Sequence, residues 1–176
     1  MELDMLERVA ESKAGMLRQK GMFREALEVW KDFGRECKVI GSKAGEAVAW
    51  DKQALIYKNL GDYSSASSLH RQAETAFREL DMRMYLGNCL VNHAILLFEK
   101  LGKPAEARDK VEEAIGIYTE AESDVHVTNA AKLLDAIDDK LVEDATGSMS
   151  LTSAMAFLKE TKAEKPSRKR PWWRVW

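Results

Sequence analysis

The chain has 176 residues, 45% of them hydrophobic and 32% charged, with a formal net charge of −2. That length supports one continuous core, and the balance excludes disordered, collagen-like and membrane-embedded classes, since no apolar run reaches membrane-spanning length. Two cysteines, Cys37 and Cys89, are too few and too far apart for a disulfide framework or a CxxC metal pair, so both read as small apolar side chains.

The first residues, Met1-Glu2-Leu3-Asp4, are acidic and lack the basic-then-apolar order of a signal peptide, so a cytoplasmic protein is expected. From there to about residue 142 the chain reads as helix. Apolar residues recur three and four apart and proline is absent from the segment interiors. The pattern predicts helices over 3–20, 23–40, 45–60, 64–80, 83–101, 104–122 and 125–142. In the fourth, Ala66, Leu69, Ala73, Ala76, Phe77 and Leu80 make one stripe. Ser67, Ser68, Arg71, Gln72 and Glu74 fall largely off it.

A motif returns in register along these helices. The copies read Ala14-x-x-Leu17…Gly21…Phe23…Ala26, then Ala54-x-x-Tyr57…Gly61…Tyr63…Ala66, then Ala94-x-x-Leu97…Gly102…Pro104…Ala107. The turn glycines lie 40 and 41 residues apart, the third copy carrying one extra residue before Gly102. A fixed period of this size predicts helical hairpins that stack to bury a shared core. The glycines suit a left-handed helix-ending turn, and Pro104 suits the first turn of the next helix. A seventh helix, with Val127, Ala131, Leu134, Ile137 and Leu141 on one face and Lys132, Asp135, Asp138, Asp139 and Lys140 on the other, reads as a cap. Residues 143–164 read as a linker with a short helix after Ser150, and residues 165–176 as a basic tail.

Catalytic signatures are absent. There is no glycine-rich phosphate loop, HExxH or Gly-x-Ser-x-Gly. His70, His93 and His126 stand on different helices without metal-ligand spacing, and acidic pairs such as Glu112-Glu113 read as solvated faces. Neither an enzyme nor a cofactor or metal is expected.

The repeated residues resemble the tetratricopeptide repeat. Trp50, Ala54, Tyr57, Gly61, Tyr63, Ala66 and Ala73 fall on its large, small and aromatic positions, as do Ala94, Leu97, Gly102, Ala107, Ala114 and Tyr118 in the third copy. The period is near 40, where the family commonly has 34. The resemblance implies an all-α, right-handed solenoid of three hairpins over residues 1–142, acting as a protein–protein adaptor, scaffold or complex subunit. It also implies that the first helix of each hairpin lines a peptide-binding groove. On this register the groove positions are Arg8, Glu11, Ser12, Arg18 and Gln19, then Asp51, Lys52, Lys58 and Asn59, then Asn88 and Asn92. An amide offers donor and acceptor together and can read an extended backbone. The two-carboxylate clamp of chaperone-binding members does not fit, because Glu11 and Gly15 take its key positions.

The tail carries Arg168, Lys169, Arg170, Trp172, Trp173, Arg174 and Trp176. The last twelve residues hold five basic and no acidic side chains, leaving the rest of the chain at −7. Trp and Arg are typical anchors of binding hot spots, so docking in a partner protein ranks first. Folding back on the acidic body ranks second, a membrane surface third and single-stranded nucleic acid last, because the body would repel it. A membrane-peripheral protein held by this tail, or a regulator that senses a peptide, are the alternative functions.

Overall fold

The computed structural model describes residues 2–147. The short helix expected after Ser150 and the Trp/Arg tail lie outside the described residues. Among the described residues seven helices follow one another: α1 (Glu2–Gln19), α2 (Phe23–Val39), α3 (Lys43–Leu60), α4 (Tyr63–Glu79), α5 (Arg83–Glu99), α6 (Pro104–Glu120) and α7 (Asp124–Gly147). No strand occurs among the described residues, and no helix among them is long and apolar enough to cross a membrane. The described part of the protein is all-α.

The chain divides into two compact units, Met1–Ile137 and Asp138–Trp176. In the first, each helix from α1 to α5 packs on its successor, and α3 also meets α5. The seams run through small side chains. Ala14, Ala54 and Ala94 are buried, as are Ala26, Ala66 and Ala107 across the hairpin turns from them. Ala54, Ala66 and Leu96 form one core cluster, with Tyr57, Tyr63, Leu69 and Leu101 packed around it. A methyl group at a seam lets two backbones approach, and the aromatic rings fill the space beside them. Trp30, Phe33 and Phe77 complete the core, whereas Trp50 is only half-buried.

The turns repeat one hydrogen-bond pattern. At the first hairpin Met22 N–H donates to the Leu17 carbonyl (2.9 Å), and at the second Asp62 N–H donates to that of Tyr57 (3.0 Å). The extra residue of the third copy lengthens this step, so Lys103 N–H reaches back to Leu97 instead. The connections between hairpins use the same device. Gly41, Asp81 and Glu122, again 40 and 41 apart, all take positive φ (73°, 52° and 52°). Only the first is glycine, which is why the sequence showed one series of turns and not two.

Local chemistry fixes the starts. Ser42 Oγ accepts from Gly45 N–H (3.2 Å) at α3, and Asp62 Oδ1 accepts from Ser65 N–H (3.0 Å) at α4. Pro104 opens α6.

In α7, Ile137 and Ala130 are buried, and Lys132 and Asp135 face solvent. The helix does not stop at residue 142 where a linker was expected. Nothing between Glu143 and Thr146 breaks a helix. Lys140 pairs with Glu143 (3.1 Å) and Asp144 (3.0 Å) one turn on, carrying the second unit's described residues to Gly147 as helix.

Candidate functional site

The first unit holds a cleft of about 610 Å3 lined by side chains of α1, α3, α5 and α7. Successive hairpins point their first helices at the same space. Lys52 and Leu55 come from α3, Tyr85, Asn88, Val91 and Asn92 from α5, and His126 and Asn129 from α7. Glu7 of α1 closes one side, and Tyr118 enters from the end of α6. Asn88 and Asn92 sit one turn apart and both reach the cleft.

Tyr118 organises the α5–α7 side. Its ring is buried, lies 4.9 Å from His126, and packs where Gly87 leaves room: a Cβ there would stand 2.8 Å from Tyr118 Cε1. Burial pushes its hydroxyl up to about 12, so it is a proton donor throughout the ordinary pH range. It donates to Asn88 Oδ1 (2.8 Å) and so leaves that amide's NH2 for a ligand. Lys52 is held on the other side by Glu11 (2.6 Å) and lies over the Trp30 ring (5.7 Å). Burial raises the Glu7 carboxyl, partly opposed by Lys52.

The expected groove residues are therefore divided. Asp51, Lys52, Asn88 and Asn92 share the large cleft, whereas Arg18 and Asn59 line a smaller hollow of about 350 Å3 with Gly15, Gln19 and Phe23. Lys58 is half-buried and lines neither of these hollows. Asp51 touches the cleft, but its carboxylate turns inward to His70 (3.0 Å) and only 12% of the side chain is exposed. Tyr85, Tyr118, His126 and Asn129 were not foreseen as cleft residues.

Beneath the cleft, α3 to α6 bury a polar cluster that spacing along the sequence did not reveal. His70 and His93, expected to be scattered, stack at 5.3 Å with 25° between planes. Ser67 and Glu74, which fall off the apolar stripe of α4, are also buried. The reason is that α4 is flanked by both α3 and α5, so its buried arc is wider than one stripe. A continuous relay runs through the second histidine. Lys110 Nζ donates to Glu74 Oε2 (2.7 Å), His93 Nδ1–H donates to Glu74 Oε1 (2.6 Å), and Ser67 Oγ–H donates to His93 Nε2 (2.9 Å). Burial pushes the Glu74 carboxyl up, but the hydrogen bonds from His93 and Lys110 outweigh it and leave it below the usual range. Burial lowers His93 and favours the neutral ring, in which Nδ1–H donates to Glu74 and Nε2 accepts from Ser67.

The first histidine is arranged differently. Asp51 Oδ1 (3.0 Å) and Cys89 Sγ (3.6 Å) both approach His70 Nδ1, and His70 Nε2 is buried with no partner among the described residues. A nucleophilic triad needs the nucleophile and the orienting carboxylate on opposite ring nitrogens of the histidine base. Here both partners crowd one nitrogen. Burial also pushes the Cys89 thiol far up, with the charges of Asp51 and Glu74 adding to it, so it is not an activated nucleophile. Cys37 is buried as a free thiol elsewhere.

Among known proteins, no family model and no curated protein matches this chain.

Proposed function

We propose that the chain is a non-catalytic adaptor of tetratricopeptide-like architecture, a right-handed stack of three hairpins that holds an extended peptide segment of a partner protein. The observation that carries this reading is the cleft itself: four alternate helices turn side chains into one space. Its lining combines amides (Asn88, Asn92, Asn129), phenol rings (Tyr85, Tyr118) and one cation, Lys52. Amides satisfy the donors and acceptors of an extended backbone, and rings beside them give apolar contact at low entropic cost. The buried Cys–His–Asp set beneath it has the wrong connectivity for nucleophilic catalysis, which favours a binding role.

The test is selection of a random-sequence peptide library against the full chain. Recurrent peptides should emerge, and the double variant Asn88→Ala/Asn92→Ala should lose at least ten-fold in affinity for them while keeping its helical circular dichroism. Peptides that bind this variant equally well would remove the cleft from the account.

The sequence of the tail supports a second contact. Three tryptophans and four basic residues within 168–176 suit a hot-spot anchor in a partner of a cytoplasmic complex. Removing Pro171–Trp176 should abolish one partner interaction with little change in melting temperature. Co-sedimentation of the intact chain, but not the truncated one, with anionic vesicles would favour the membrane-peripheral alternative.

A further inference from the structure

We propose that Asp51, His70 and Cys89 form a binding site for a divalent cation of the zinc class. One donor comes from each of three successive helices, α3, α4 and α5, and the three donor atoms lie within 4.8 Å of one another. Zinc binds thiolate at about 2.3 Å and imidazole or carboxylate oxygen at about 2.0–2.2 Å, so tetrahedral donors stand roughly 3.3–3.6 Å apart. The Sγ-to-Nδ1 separation of 3.6 Å falls in that range, whereas the Oδ1-to-Nδ1 separation of 3.0 Å is a few tenths of an ångström too short, so the Asp51 carboxylate must draw back slightly to admit the ion.

The connectivity argues the same way. The Nδ1 proton of His70 serves the Asp51 carboxylate, and the Cys89 thiol, a weak donor, has only the long contact to the His70 carbonyl (3.6 Å), which a bond to a metal ion would replace. Charge agrees as well. Counted without imidazole protons, Asp51 and Glu74 against Lys110 leave one buried negative charge in excess, and buried charge is costly unless paired. A divalent cation that displaces the Cys89 thiol proton to solvent, with the His70 proton moved to Nε2, leaves the cluster neutral. Asp51 lines the cleft above, which provides a route of access. The Glu74–His93 pair stacked beside the site supplies a fixed polar wall. Three protein donors leave a fourth coordination position for water or another small ligand.

The test uses the full chain, reduced and stripped with a chelator, titrated with Co2+ and then with Zn2+. The expected result is one equivalent of Co2+ giving a thiolate-to-cobalt charge-transfer band in the near ultraviolet and tetrahedral bands in the visible, both bleached by Zn2+. Cys89→Ser should abolish the charge-transfer band, Cys37→Ser should retain it, and Asp51→Asn should weaken binding at least ten-fold. Circular dichroism of each variant confirms that it is folded. If Cys89→Ser does not fold, a Zn2+-induced rise in the melting temperature of the wild-type chain, lost in Asp51→Asn, carries the same test. Absence of any cobalt band in the folded wild-type chain overturns the proposal and assigns the place to a proton. A band that survives Cys89→Ser, or vanishes with Cys37→Ser, overturns it too.

Discussion

His70 and His93 stack ring on ring, yet each directs its Nδ1 to a carboxylate 19 residues back on the preceding helix, Asp51 for one and Glu74 for the other. The same helix-to-helix step is used twice, once from α3 to α4 and once from α4 to α5. This pair of steps ties three helices together through polar contacts where apolar packing would ordinarily do so. The arrangement is intolerant of partial removal, because a buried donor or charge left behind keeps its desolvation cost. Glu74→Ala should therefore destabilise the fold by about 3 kcal/mol. Urea denaturation followed by circular dichroism reads this as a lower midpoint at unchanged slope.

Asp62 caps α4 through both the backbone and the hydroxyl of Ser65, and those hydrogen bonds hold its carboxyl below the usual range. A depressed carboxylate stabilises the fold above its unfolded value, and that contribution fades as pH falls through the lower folded value. Asp62→Ala should thus lower the melting temperature near pH 7. The gap from the wild type should close below about pH 4.

Two helical glycines have opposite surroundings. A Cβ at Gly87 would press on the Tyr118 ring at 2.8 and 3.1 Å, whereas one at Gly116 would meet nothing within 4 Å. Gly87→Ala should cost about 1–3 kcal/mol by overpacking and weaken peptide binding, since Tyr118 cannot move without releasing Asn88. Gly116→Ala should stabilise the fold by roughly 0.5–1 kcal/mol. Thermal melts of the two variants, run side by side, check both signs.

The left-handed turns give a similar pair. Gly61 takes φ of 82° and Glu122 takes 52°. Gly61→Ala should cost about 1 kcal/mol, while Glu122→Gly should leave stability unchanged or raise it slightly, because it removes strain at the price of chain entropy. A large loss in Glu122→Gly would mean that its side chain, not its backbone, holds the turn.

Tyr118→Phe removes the hydroxyl from Asn88 and little else. It should cost about 1 kcal/mol in stability and weaken selected peptides several-fold by letting the amide rotate. Binding unchanged in this variant would show that Asn88 needs no such latch.

How much of this was legible beforehand follows from what kind of signal each feature leaves. The seams were readable because Ala54 and Ala66 flank a glycine turn at a repeating distance, and periodicity survives in one sequence. The second series of turns was not, since Asp81 and Glu122 adopt a glycine conformation without being glycine. Asn88 and Asn92 were placed on the groove by the register of the tetratricopeptide resemblance, helical spacing adding only that the two share a face. Tyr118 was recognised as a repeat aromatic but not as a cleft residue, because its role depends on α7 closing beside it. The buried cluster left no local signal at all. Its members come from α3 to α6, and Ser67 and Glu74 look wet on any one-stripe view of α4.

The central claim is that alternate helices turn one face to a bound peptide. Backbone amide shifts of the isotope-labelled full chain, followed during titration with a library-selected peptide, test it most directly. The account predicts shifts concentrated at residues 51–55, 85–92 and 126–130. Shifts concentrated on α2, α4 and the outer face of α6 would contradict it.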